Sequence, residues 1–305
     1  MKIEVKNITK SFGEKEVLKG ISFETEDKKA LGLLGRNGAG KTTTIRIIMG
    51  VFYQDSGEIL IDGKKIDRSK IQIGYLPEER GLYPKQKIGE QLSYFGMLRG
   101  LTKQQSREAV NKWLDRMGMS QYKDKKLETL SKGNQQKIQL AATLLCEPEL
   151  VILDEPFSGL DPVNAMLLKD VITENIEGGA AVIFSSHQMN YIEEFCNDIC
   201  ILNSGKIAVG GNINDIKRSY PRDTVNIFSQ DPESISSFII RSYSDNIVSA
   251  DTDAKYSCVT VKLKEAAMKD RLLSMLLENN FDFDGFRVKE PSLNDIFVQY
   301  TEGGI

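Results

Sequence analysis

Gly35-Arg36-Asn37-Gly38-Ala39-Gly40-Lys41-Thr42 has the spacing of a loop that holds phosphate, with lysine and a hydroxyl residue directly after the last glycine. Glycines at 35, 38 and 40 let the backbone curl until successive N–H groups point at one anion, and a helix beginning behind them adds its positive end. In such a loop Lys41 reaches the β- and γ-phosphates of a nucleotide and the Thr42 hydroxyl ligates Mg²⁺, with Thr43 continuing the set. A plain glycine-rich turn with an exposed lysine would not need every position of the motif filled.

A second group of residues could act on what that loop holds. Asp154 and Glu155 close the apolar run Leu150-Val151-Ile152-Leu153, which has strand length. A carboxylate at the tip of a buried strand beside a phosphate loop is the expected second Mg²⁺ holder, usually through water. Strand alternation sends the two acids opposite ways, so Asp154 faces the metal and Glu155 can polarise an attacking water. His187, the single histidine, follows the strand-like Ala180 to Ser185, at the sheet edge where a γ-phosphate would lie. Ser131 is a good helix cap, and Gly133 leaves the N–H groups of the new helix open to an anion. Phe12 lies at a turn near Gly13, where an aromatic ring could stack on a base with Val17 as an apolar contact beneath it.

The elements that must position these residues read as an α/β pattern. Ile3 and Val5 alternate with charged neighbours, as does Val17 to Glu24, so an antiparallel pair closing near Gly13 is expected. Gly57 to Asp62 and Ile71 to Leu76 read as strands separated by the turn Asp62-Gly63, and the polar loop Pro77 to Pro84 follows. Ile88, Leu92 and Phe95, then Ala109, Val110, Trp113 and Leu114, mark two amphipathic helices broken at Gly100. They suggest a helical subdomain over about residues 86–145. Ile199 to Leu202 and Lys206 to Val209 form a closing hairpin through Asn203-Ser204-Gly205. Beyond Tyr220-Pro221, strands at 224–228, 244–250, 258–263 and 281–288 with helices near 232–241 and 265–279 give a β-α-β-β-α-β order. A last helix opens after Glu290-Pro291, capped by Ser292 and Asp295.

Composition narrows the function. The 305 residues suggest about two domains, and the net charge of −3 is spread along the chain, so no nucleic-acid surface is expected. No apolar run approaches the ~18 residues of a membrane span. The start, MKIEVKNITK, carries charges where a signal peptide needs an apolar core, so a cytoplasmic protein is expected. Cysteines 146, 196, 200 and 258 form no C-x-x-C pair and read as small core residues.

Taken in order, the loop at 35–42, Leu130-Ser131-Lys132-Gly133-Asn134-Gln135-Gln136, Leu150 to Pro156, Ser158-Gly159-Leu160-Asp161 and His187 resemble the ATP-binding-cassette ATPases over residues 1 to about 216. The resemblance implies a P-loop NTPase cassette with a RecA-like core, an antiparallel β subdomain and a helical subdomain. It implies an adenine platform at Phe12, a signature motif at Ser131 to Gln135, a catalytic base at Glu155, an inter-subunit contact at Asp161 and a γ-phosphate switch at His187. In that family the signature serine and glycine of one cassette complete the ATP site of another, so a homodimer or a pair with a different cassette is implied. Arg36 stands where proline is frequent, and Lys132 and Asn134 replace the usual second glycine and the glutamine of the signature. Glu78 occupies the place of a glutamine that senses Mg²⁺ and the membrane partner; its carboxylate can still ligate Mg²⁺, although an indirect, transport-coupling role is preferred.

The loop at 77–84 and the tail resemble ATPase subunits of the sodium-exporter (Nat-type) and drug-exporter branch. The expected protein has a cassette at 1–216, a linker at 217–222 and a small α+β domain at 223–305. It uses ATP and Mg²⁺ and drives a separate membrane permease from the cytoplasmic face of the membrane, for efflux of sodium, drug or peptide. The alternative is a non-transport ATP switch on a macromolecular partner. A P-loop kinase or GTPase would leave the signature and His187 without a use.

Overall fold

Ile3, Val5 and Ile8 bury one face of β1 (Lys2–Phe12), which pairs antiparallel with β2 (Lys15–Glu26) around Gly13 in this computed structural model. The structure describes residues 1–79, 81–253 and 255–302. Arg80 of the polar loop and the last three residues of the C-terminal stretch lie outside the described residues. The core spacing along β1 skips from Val5 to Ile8 because the register shifts there, with Asn7 at φ 50°, a conformation asparagine tolerates better than most residues.

A buried parallel strand, β3 (Ala30–Gly35), leads through the glycine loop into α1 (Lys41–Ile48). The strand β4 (Ser56–Ile61) joins β1, and β5 (Lys64–Lys65) pairs with β4 across the turn Asp62-Gly63. That turn therefore closes a small hairpin at the edge of the antiparallel sheet. The next strand, β6 (Ile73–Leu76), belongs to a different sheet.

The helical insert contains α2 (Ile88–Leu98), α3 (Lys103–Arg116) and α4 (Lys132–Leu144). Gly100 at φ 96° follows α2, and Thr102 with Gln105 forms a capping box for α3. Ile88 and Leu92 on α2, with Val110, Trp113 and Leu114 on α3, supply the buried stripe.

After the insert come β7 (Leu150–Asp154), α5 (Pro162–Glu177), β8 (Ala181–Ser185), α6 (Met189–Phe195), β9 (Asp198–Asn203) and β10 (Lys206–Asn212). Among the described residues the main sheet runs β10-β9-β3-β8-β7-β6, parallel from β9 to β6 with β10 antiparallel at one edge. Its central strands β3, β7 and β8 are apolar throughout apart from their carboxyl ends, as strands covered on both faces must be. Phosphate loop, Asp154 and Ser185 stand at those carboxyl ends, where ligands bind in open α/β sheets. The four cysteines are free, and burial pushes the Cys196 and Cys200 thiols up, which suits packing rather than reactivity.

Contact density divides the chain into Met1–Ile213 together with the segment from Phe297, and Asn214–Ile296. After α7 (Ile213–Ser219), the second unit contains β11 (Thr224–Phe228), α8 (Pro232–Ser242), β12 (Ile247–Asp253), β13 (Cys258–Leu263), α9 (Lys269–Glu278) and β14 (Gly285–Val288). Its antiparallel sheet is ordered β12-β13-β11-β14 over a core including Val225, Ile227, Ile239 and Leu272. The final helix, α10 (Leu293–Glu302), opens with a reciprocal pair: Ser292 N donates to Asp295 Oδ2 at 3.0 Å and Asp295 N to Ser292 Oγ at 3.1 Å. Among the described residues no helix is long and apolar enough to cross a membrane.

Candidate nucleotide site

The loop between β3 and α1 needs glycine for two separate reasons. At Gly35, φ is 154° and a Cβ would meet Leu202 O at 2.6 Å; at Gly40, φ is 114° and a Cβ would meet Leu18 Cδ2 at 2.6 Å. Close packing on β9 and β2 and the left-handed backbone thus exclude side chains at both ends of the loop. Gly40 is also the N-cap of α1 and makes no side-chain cap bond. The helix's opening N–H groups are thereby free of side-chain competition for an anion. Ala39 is buried beneath the loop, and its N–H donates to Arg36 O at 3.0 Å. Lys41 Nζ folds back to Gly35 O at 2.6 Å. Burial draws the Lys41 ammonium below the usual lysine range, opposed by the carboxylates of Glu155, Asp154 and Glu78. Those groups are therefore electrostatically coupled to the lysine.

Asp154 is 5% exposed and pairs in register with Ser185. Burial pushes its carboxyl above the usual range; Glu78 and Glu155 add to this, while the Ser185 hydroxyl and Lys41 oppose it. Burial, then the nearby Asp154 charge, pushes the Tyr75 phenol up to about 12.

Glu155 sits at φ 51°, a left-handed conformation that costs a non-glycine residue roughly 1–2 kcal/mol. Its side chain is held at both oxygens. His187 N donates to Oε1 at 2.8 Å, His187 Nδ1 stands 2.8 Å from the same oxygen, and Ser186 Oγ donates to Oε2 at 3.2 Å. Glu155 is nearly buried while the His187 side chain is 72% exposed, so the carboxylate is fixed and the ring reaches outward from it.

A cleft of about 940 Å³ gathers Gly35 to Gly38 and Gly40 to Thr43 with Glu78, Asp154, Glu155 and His187. The loop carrying Glu78 is pinned by α4, whose Gln139 Nε2 donates to Pro77 O at 3.3 Å and Glu79 O at 3.2 Å. Val17 lines the cleft too, with Lys15 and Phe297, two residues that no motif marks. Phe12 is not among the lining residues; its ring meets Phe52 edge-on at 5.3 Å.

Ser131, Gly133, Gln135 and Asp161 also stand apart from this cleft. Ser131 caps α4, accepting from Asn134 N at 3.4 Å, and Gln135 Nε2 is buried on Leu130 O at 2.8 Å. A Cβ at Gly133 would meet Asn164 Nδ2 at 2.9 Å, so the signature helix starts close against α5. Asp161 caps α5 through Val163 N and Asn164 N at 3.1 and 3.0 Å, and these bonds hold its carboxyl below the usual range. Ser186 is a contact sequence reading misses, although its place directly before His187 is the signal that could have found it.

The donors suit Mg²⁺ only in company with phosphate. Among the described residues no group of three or more His, Cys, Asp or Glu side chains forms a metal cage. Asp154, Glu78 and the Thr42 hydroxyl share the cleft, and Mg²⁺ ordinarily takes one or two carboxylates and fills its shell with phosphate oxygens and water.

Comparison with known proteins identifies the family. The family model described as "ABC transporter" matches residues 18–158, and "ATP-binding protein DrrA1-3-like, C-terminal domain" matches residues 211–301. The chain is 40% identical to the uncharacterized ABC transporter ATP-binding protein YhaQ of Bacillus subtilis, over 97% of each chain. It is 35% identical to the linearmycin resistance ATP-binding protein LnrL of the same organism, over 73% of each. A solved ATP-binding subunit of an ABC transporter superposes with a TM-score of 0.66 at 30% identity, over 72% of this chain and 93% of the other. The chain belongs to the ATP-binding subunits of ABC transporters, the family of cassettes that hydrolyse ATP to power transport.

Proposed function

We propose that this cassette hydrolyses Mg·ATP in the cleft between the glycine loop and Glu155, and that two cassettes close head-to-tail to complete each site. The observation that carries the reading is the fixed carboxylate of Glu155, held by Ser186 and His187 in the same cleft as Lys41 and Asp154. Lys41 and the loop N–H groups grip the phosphates, and Thr42, Asp154 and, indirectly, Glu78 hold Mg²⁺. When bound, that ion neutralises charge on the β- and γ-phosphates. Glu155 orients a water in line with the γ-phosphorus and receives its proton, so that ADP and phosphate leave. His187 extends from Glu155 toward a γ-phosphate oxygen and carries the presence of that oxygen back to the carboxylate.

Ser131, Gly133 and Gln135, standing outside their own chain's cleft, seal the nucleotide of the partner cassette, with Asp161 at the junction. The unit works on the cytoplasmic face of the membrane, docked on a separate permease through the groove between the helical insert and the 77–84 loop. Export is the direction of transport supported by a 33% identical relative named for Nod factor export in Paraburkholderia xenovorans, and the cargo is chosen in the permease. Phosphate release by the purified chain, compared with Lys41→Ala, tests the ATPase site. Copurification from membranes tests the assembly: a permease is expected, and ribosomes or DNA in its place would overturn the transport reading.

A further inference from the structure

Among the described residues the cleft is lined by one aromatic ring, which the cassette motifs do not supply and which comes from the last helix. Phe297 of α10 lines the cleft with Lys15 and Val17. Phe12, the expected base platform, is turned edge-on to Phe52, with Lys10 Nζ 5.4 Å from its centroid.

The way Phe297 reaches this position can be followed bond by bond. Asn203 Nδ2 donates to Tyr300 O at 2.8 Å, tying α10 to the turn between β9 and β10. The same turn is bonded to β2: Lys19 N donates to Gly205 O at 2.8 Å, and a Cβ on Gly205 would lie 2.4 Å from Val17 O. Phe297 precedes Tyr300 by about one helical turn, so the residue that lines the cleft lies close along α10 to the carbonyl that anchors the helix. The anchoring turn thus packs on the strand that carries Val17, a second apolar residue lining the cleft. Phe297 also groups by contacts with Met1–Ile213 and not with Asn214–Ile296.

We propose that Phe297 is a nucleotide-positioning residue whose ring packs on the base, so that ATP recognition by this chain draws on its final helix. The inference rests on the reading of the cleft as a nucleotide site. A ring there offers a flat apolar face to a purine and nothing to phosphate, which fixes the test.

ATP and inorganic tripolyphosphate are titrated calorimetrically into the full-length protein, wild type, Phe297→Leu, Phe297→Tyr and Phe12→Ala. Phe297→Leu keeps an apolar side chain for folding but removes the aromatic face. It is expected to weaken ATP roughly tenfold, within the range for loss of one base–aromatic stack, with tripolyphosphate unchanged and Phe297→Tyr close to wild type. Unchanged ATP affinity in Phe297→Leu, with the loss in Phe12→Ala instead, would overturn the proposal and leave the nucleotide site standing. Equal weakening of both ligands would overturn it too, since the helix would then be merely structural support. Failure of the wild type to bind ATP would sink the nucleotide reading along with it.

Discussion

Helix α1 begins at Gly40 with a left-handed φ of 114° and no side-chain cap, whereas α4 and α5 begin at Ser131 and Asp161, whose side chains accept N–H bonds from the first turn. The open start lies in the cleft with Asp154 and Glu155; the capped starts lie outside it. An uncapped helix end among buried charges is completed by a ligand, while a capped one is already satisfied. Ser131 keeps its hydroxyl proton to donate even while its oxygen accepts from Asn134. The contrast supports the proposed division of labour, in which the open helix start and Glu155 act within one cleft while the capped Ser131 end serves the site of a second cassette.

Substitutions can break that contrast at either end. The largest effect is expected of Glu155→Gln, which keeps an oxygen for His187 but removes the proton acceptor. Phosphate release should fall roughly 10²–10⁴-fold with ATP affinity retained. His187→Ala should follow, with about 10²-fold slower release in the same assay and little change in binding. At the capped end, Ser131→Asp preserves the cap but sets a negative charge toward phosphate. Hydrolysis should fall with the melting temperature held, whereas Ser131→Ala should also cost about 1 kcal/mol of stability.

The smallest effect expected is thermal. Because burial raises the folded-state pKa of Asp154, the folded protein loses stability as pH rises from the ordinary aspartate range through the raised value. Asp154→Asn should therefore melt higher than wild type near neutral pH without nucleotide, by ~2–4 °C for about 1 kcal/mol. The gain should shrink as pH falls and vanish well below the ordinary aspartate pKa of about 3.9, where the wild-type aspartate is protonated both folded and unfolded.

Local spacing made the phosphate loop, the Asp154-Glu155 strand end and the capped helices legible, because each is a short-range pattern with one physical solution. The capping box at Ser292 and Asp295 and the strands Thr224–Phe228 and Cys258–Leu263 were legible for the same reason. Partners across the sheet were not. Asp62-Gly63 signals a turn but cannot say that β4 stays in the antiparallel sheet while β6 crosses to the other. Nothing in Asp154-Glu155-Pro156 encodes the left-handed backbone at Glu155, which depends on the neighbouring strand: Ser185 O accepts from Glu155 N at 2.9 Å. Phe297 was invisible because the helix that carries it is tied through Tyr300 O to Asn203, far away in the chain.

The claim that one chain holds half of each ATP site is tested most directly by the sedimentation mass of Glu155→Gln, measured with Mg·ATP, with Mg·ADP and without nucleotide. The account predicts a closed pair of cassettes with ATP alone, formed by two copies of this chain or by one copy and a copurifying cassette, and dispersed by Ser131→Asp. A Glu155→Gln protein that stays monomeric while binding one ATP per chain, with no other cassette found beside it, would contradict the account.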